Sequence, residues 1–161
     1  MNKFSRSSLQ HLASCCPDLV SAAHFAIQIT DFGVICGHRT EEVQTNAFLS
    51  GSSQLAFPLS RHNSSPSMAF DLVPYHPRFG HLFGSEEQLW EISTLMQCSE
   101  EDALRYIWQR YAQLHGILQA FFWTYPSPYS LRWGGDWTSD DNFLDQSFND
   151  LGHWELRHVD A

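Results

Sequence analysis

Two short stretches of this sequence hold residue types that fit poorly with their surroundings unless they do chemistry. From Leu59 to Asp71 a histidine, His62, sits in a Ser- and Pro-rich loop, and an aspartate stands at the heart of the apolar run Ala69-Phe70-Asp71-Leu72-Val73. A carboxylate flanked by Phe70 and Leu72 is costly to desolvate, so something positive must neutralise it, and Arg61 or another surface cation is the plain candidate. From Asn149 to Arg157, strand alternation puts His153, Glu155 and Arg157 on one face and Trp154 and Leu156 on the other. Asp150 precedes His153 by three residues, in or near a turn. Taken singly, His153 reads as an ordinary partly buried histidine.

Joined, the stretches supply His62, Asp71 and His153. These are the ligand types of a catalytic zinc site with three protein ligands and an open fourth position for water. Two neutral imidazoles and one carboxylate leave such a site with net positive charge, which lowers the pKa of bound water to about 7 and polarises a carbonyl. Asp150, close by without being a ligand, suits a general base that passes the water's proton to a leaving amine. Arg39 could hold a substrate carboxylate or a developing oxyanion, or form a surface salt bridge.

The elements that must position these residues read as helices first, then strands and helices mixed. Ser7 to Cys15 and Pro17 to Ile29 carry helical signals, with Pro17 suited to a first turn and Leu19, Ala22, Ala23, Ala26 and Ile29 on one face. Phe32 to Cys36 reads as a buried strand ending at Gly37-His38-Arg39, after which Thr40 caps a helix that stops at Gly51. Arg39 therefore sits at a strand-to-helix junction. Ala69 to Val73 is a second strand, halted by Pro74. Capping boxes at Ser85 to Gln88 and Ser99 to Asp102 announce two more helices, the second amphipathic through Leu104, Ile107, Tyr111, Leu114, Leu118 and Phe121. Leu131 to Trp133 and Gly152 to His158 read as strands, with Gly134-Gly135-Asp136 as a turn. The pattern predicts an α+β fold, a small antiparallel sheet with helices packed on it, in one domain over residues 1–161.

Composition narrows the function. With 161 residues, 43% apolar and 14% aromatic, the chain can bury a real core and is not disordered throughout. A formal charge of −9 argues against nucleic acid and anionic bilayers as partners. No apolar stretch approaches the roughly 20 residues of a membrane span, so no membrane insertion is expected. The start, Lys3 and Arg6 followed by Ser7-Ser8-Leu9-Gln10, lacks the apolar run of a secretory leader, and cytoplasmic synthesis is expected. The four cysteines form no Cys-x-x-Cys pair and read as buried or incidental thiols, which argues against a thiolate zinc site.

The order and spacing of several pieces resemble a known family: Phe4 to Leu9, Pro17-Asp18-Leu19, Asp31 to Val34, Gly37-His38-Arg39-Thr40 with Gln44, Ser60-Arg61-His62, Ala69 to Tyr75, Trp133 to Trp137 and Asp150 to Leu156. The family is that of the zinc peptidases that include phage endolysin L-alanyl-D-glutamate peptidases, D-alanyl-D-alanine carboxypeptidases and the hedgehog signalling domain. The resemblance implies one zinc ion on His62, Asp71 and His153, a catalytic carboxylate at Asp150, Arg39 facing the substrate, and Ser60 and Gln44 as supporting residues at the site's edge. There are departures. Asp71 follows His62 by nine positions where seven is the familiar spacing, Trp154 stands where Phe is common, and Leu151-Gly152 replaces a Gly-Pro pair. Residues 79–129 match weakly and read as a helical wall or lid.

The implied substrate is the stem peptide of bacterial peptidoglycan, cut by a monomer that accumulates in the host cytoplasm and reaches the wall after release. The leading reading is an L-alanyl-D-glutamate endopeptidase. A D-alanyl-D-alanine carboxypeptidase would use the same zinc. A catalytically silent, zinc-stabilised wall-binding module is the alternative of another class, and Asp150 beside His153 argues against it because a structural site needs no general base.

Overall fold

The computed structural model describes residues 2–140, 142, 145 and 147–159. Its strands form an antiparallel sheet in the order β1 (Phe32–Cys36), β2 (Ala69–His76), β5 (His153–His158), β4 (Tyr129–Trp133), with the two-residue β3 (Gly80–His81) paired to β2. Helices α1 (Arg6–Leu12), α2 (Pro17–Ala26), α3 (Glu41–Leu49), α4 (Glu86–Met96) and α5 (Glu100–Thr124) complete the α+β architecture.

Local chemistry sets the helix boundaries. Thr40 Oγ1 accepts from the Val43 amide at the start of α3, and Ser85 and Ser99 hydroxyls accept from Gln88 and Asp102 at the starts of α4 and α5. Pro17 opens α2, where its missing N–H costs nothing. The expected halt at Pro74 is corrected: β2 runs on to His76. Tyr75 donates to Asp31 on the β1 side, whereas the Pro74 carbonyl accepts from Leu82 on the β3 side. The absent N–H of Pro74 therefore faces the short β3 and leaves the β1 pairing intact.

One face of the sheet is apolar and covered. Phe70, Leu72, Leu131, Trp133, Trp154 and Leu156 are buried there with Leu19, Ala22, Ala23, Ile107, Leu114 and Leu118 in a single core cluster. The ring of Tyr111 on α5 stacks with that of Trp154, and Trp154 Nε1 donates to His115 Nδ1 at 3.4 Å. The segment 79–129, read from sequence as a wall or lid, thus backs the sheet and contributes none of the residues that line the cleft on its other side. Among the described residues no helix is long and apolar enough to cross a membrane.

Candidate metal centre

Register brings the polar residues together. Asp71 on β2 lies directly opposite His153 on β5, and on β1 it pairs with Cys36 across a shift in register. Glu155 on β5 lies opposite Arg132 on β4. All five project from the sheet face away from α5, because their neighbours Phe70, Trp133 and Trp154 take the core face.

His62 arrives from the 3-10 turn Arg61–Asn63. Ser60 caps this turn: its hydroxyl accepts from the His62 amide at 3.3 Å, while Asn63 Oδ1 accepts from the Ser60 amide at 3.2 Å. The turn is tied to the junction after β1 by Arg39 N to His62 O at 2.9 Å and by Asn63 Nδ2 to Arg39 O at 3.1 Å. His62 Nδ1 lies 2.6 Å from the Gly37 carbonyl, so Nδ1 carries the donated proton and Nε2 faces the sheet. Gly37 is needed at this place, since a Cβ there would stand 2.4 Å from the His11 carbonyl oxygen.

Three candidate donor atoms then form a nearly equilateral triangle. His62 Nε2 to Asp71 Oδ1, His62 Nε2 to His153 Nδ1 and His153 Nδ1 to Asp71 Oδ1 are each 3.1 Å. Tetrahedral zinc with bonds of about 2.0–2.1 Å separates its ligand atoms by about 3.3 Å, so the trio fits the ion with a shift of roughly 0.2 Å. The far ring nitrogens are occupied as a metal site requires: His62 Nδ1 by Gly37 O, and His153 Nε2 by Glu155 Oε2 at 3.2 Å. All three side chains are buried.

Cys36, His62 and Asp71 also form a group whose ligand atoms lie within 4.8 Å of one another, so a Cys/His/Asp group could hold a metal ion. The expectation of buried or incidental thiols said nothing of this nearness of Cys36 to His62 and Asp71. Within that group Cys36 Sγ is nearest His62 Nδ1, at 3.9 Å, and accepts from Arg39 Nε at 3.2 Å. Because Nδ1 is already engaged by Gly37, the donor set with His153 is the better one for zinc.

Electrostatics fit a site that binds a cation. Burial opposes charge on His62, but hydrogen bonds to Asp71 and Cys36 overcome it and push the pKa up to about 9. Burial likewise opposes charge on Asp71, yet hydrogen bonds from His153 and His62 hold its carboxyl well below the usual range. A bound metal ion would take the place of the protons that keep this cluster together.

Asp71 Oδ2 pairs with Arg39 Nη2, so the cation foreseen for the strand carboxylate is Arg39 and not Arg61, which is exposed. Arg39 also lines the cleft, a cavity of about 490 Å³ bounded by Ser53, Arg132, Trp137, Phe148, Asp150, His62 and His153. Asp150 is half-buried, and its carboxyl is raised above the ordinary aspartate value, with burial the largest cause. Its backbone is seated by the Asp150 amide donating to Gly134 O at 2.9 Å and the His153 amide donating to Asp150 O at 3.0 Å. Gln44 is fully buried and its Nε2 donates to Leu55 O at 2.6 Å and Ser53 Oγ at 2.9 Å, which ties down the cleft's rim.

No protein-family model matches the sequence, and no curated protein matches it. Among solved structures, the crystal structure of the L-Ala D-Glu endopeptidase ChiX from Serratia marcescens superposes with a TM-score of 0.63 at 23% sequence identity, covering 97% of this chain and 91% of ChiX. This chain shares the ChiX fold. The match spans nearly the whole of both chains, so the likeness is one of the overall fold.

Sequence reading missed Glu155 as the partner of His153, and missed Arg132 and Trp137 in the cleft. The signal for Arg132 was present, since Leu131 and Trp133 facing the core send Arg132 to the face that holds His153.

Proposed function

We propose that this protein is a zinc-dependent peptidoglycan peptidase that cuts the stem peptide between L-Ala and D-Glu. The observation that carries the reading is the trio of donor atoms 3.1 Å apart beside a cleft that also holds a half-buried carboxylate. The likeness in fold to an L-Ala D-Glu endopeptidase supports the choice of substrate.

His62, Asp71 and His153 would hold the ion, which when bound supplies Lewis acidity and a water with pKa near 7. The protein's own residues do the rest. Asp150 removes the proton from the attacking water and returns it to the leaving amine, and its raised pKa brings it nearer the operating pH of such a transfer. Arg39 neutralises the outer oxygen of Asp71 and presents its guanidinium along the cleft, where negative charge develops on the scissile carbonyl oxygen. Glu155 keeps the His153 ring turned with Nδ1 inward. Accumulation in the cytoplasm, with access to the wall after release, belongs to the same proposal.

The test is digestion of purified muropeptides followed by mass analysis, with Asp150→Asn alongside. Products split between L-Ala and D-Glu, metal content near one ion per chain, and loss of turnover in Asp150→Asn with metal retained are expected. Loss of single D-Ala residues would reassign the bond, and metal binding without any product would leave a wall-binding module.

A further inference from the structure

Cations are scarce in this protein, nine Lys and Arg against 18 Asp and Glu, and three of them line one cleft. Arg39 is committed to Asp71, and Arg61 is exposed. Arg132 is different. Its Nε donates to Glu155 Oε1 at 3.0 Å and its Nη2 donates to the same oxygen. Its guanidinium carbon lies 4.9 Å from the centroid of the Trp137 ring. The fork is thus fixed edge-on by a carboxylate and face-on by an aromatic plane, which removes most of the rotamer freedom that an arginine ordinarily loses on binding.

Among the described residues Glu155 is the only hydrogen-bond partner of that guanidinium, so the Nη1 edge remains for a ligand. Glu155 is buried and its other oxygen meets His153, so it holds the guanidinium from within while Arg132 lines the cleft. A planar, preset fork with a spare edge is matched by a carboxylate. The site's geometry sets where that carboxylate lies. Arg132 is opposite Glu155, two residues along β5 from His153, which is roughly 7 Å along the strand and one strand spacing of about 5 Å across. Arg132 and His153 both line the one cleft, so a peptide seated at the trio can present a nearby carboxylate to the fork.

We propose that Arg132, held between Glu155 and Trp137, is a specificity residue that receives the free α-carboxylate of the residue whose amine is released. The inference rests on the proposed L-Ala–D-Glu cleavage. There the leaving residue is a γ-linked D-Glu, whose α-carboxylate projects beside the bond to be cut. A peptide with the α-carboxamide in its place offers the fork a neutral group and loses a charge-assisted pair.

Two matched peptides test this, L-Ala-γ-D-Glu-diamino acid with the D-Glu α-carboxylate and the same peptide with the α-carboxamide. Affinities are measured by calorimetry on the zinc-loaded Asp150→Asn protein, and cleavage on the zinc-loaded native protein. The carboxylate peptide is expected to bind and be cleaved at least tenfold better than the amide, mainly through KM. Arg132→Met brings that ratio close to one, and Arg132→Lys, which still neutralises Glu155, keeps part of it. A ratio near one in the native protein overturns the anchor. So does an unchanged ratio in Arg132→Met, because a merely structural role would slow both peptides alike. If neither peptide is cleaved but the carboxylate form binds at least tenfold better, the scissile bond is reassigned and the anchor stands. If neither is cleaved and both bind equally, both readings fall.

Discussion

Replacing Gly134 by alanine tests the placement of Asp150 without replacing any candidate ligand. A Cβ at Gly134 would lie 2.2 Å from the Asp150 carbonyl oxygen and 3.1 Å from its carbonyl carbon and Cβ. Ordinary contact begins at 3.4 Å, and the obstruction is backbone, which cannot swing away as a side-chain tip can. The turn carrying Asp150 must therefore retreat by roughly 1 Å, and a misplacement of that size at a catalytic group costs on the order of 100-fold in rate. Overpacking of this kind destabilises by about 1–3 kcal/mol, which at this chain length lowers Tm by roughly 2–12 °C. His62 and Asp71 are held from the opposite side of the site, whereas the His153 amide donates to Asp150 O and Gly134 N donates to His153 O, so metal content is measured beside the rate to separate a displaced base from a displaced ligand. The assay is kcat/KM on the stem peptide together with metal stoichiometry and Tm. Gly116→Ala is the control, since its added methyl meets nothing within 4 Å and it lies within α5. Native kcat/KM in Gly134→Ala would refute the claim that this turn sets the base.

Further expectations concern the metal and the protons. Glu155→Gln keeps the shape but weakens the hold on the His153 ring, and zinc affinity measured by competition with a chromophoric chelator should fall about 10- to 100-fold. His62→Ala should remove the response of Tm to added zinc, whereas the native protein should melt higher with zinc than with chelator, because donors from distant segments bind only when folded. The acid limb of the rate profile should lie above the ordinary aspartate pKa, because burial disfavours the Asp150 carboxylate and protonation silences a base. The same shift has a sign in stability. A carboxyl whose pKa is raised on folding favours the folded state at pH below its unfolded value, and that contribution is lost as pH rises through the folded one. In chelator, Asp150→Asn should therefore gain Tm relative to the native protein at neutral pH, and the gain should shrink on acidification. A larger gain at low pH would contradict it.

The residues of the candidate trio stood out because each violated its local pattern: Asp71 interrupts an apolar strand, His62 stands in a Ser-rich turn, and His153 alternates with buried Trp154 and Leu156. Helix starts were legible too, since capping is a matter of neighbours. What the sequence hid was long-range. Nothing local says that Arg39 rather than Arg61 meets Asp71, because that choice depends on how the β1 junction folds over the 3-10 turn. Likewise the stripe on α5 announced a buried face but not which side of the sheet would bury it. Cys36 looked incidental because one thiol in a strand end carries no spacing signal, and only pairing with Asp71 brings it near His62.

The pairing of Asp71 with His153 joins positions 82 residues apart. Until β5 has docked on β2, a chain can hold the first two donors but neither the third nor the base beside it. Under the proposed function, hydrolytic competence would be acquired all at once when β5 docks, and a product truncated ahead of β5 is expected to be inert toward peptide whatever the supply of zinc.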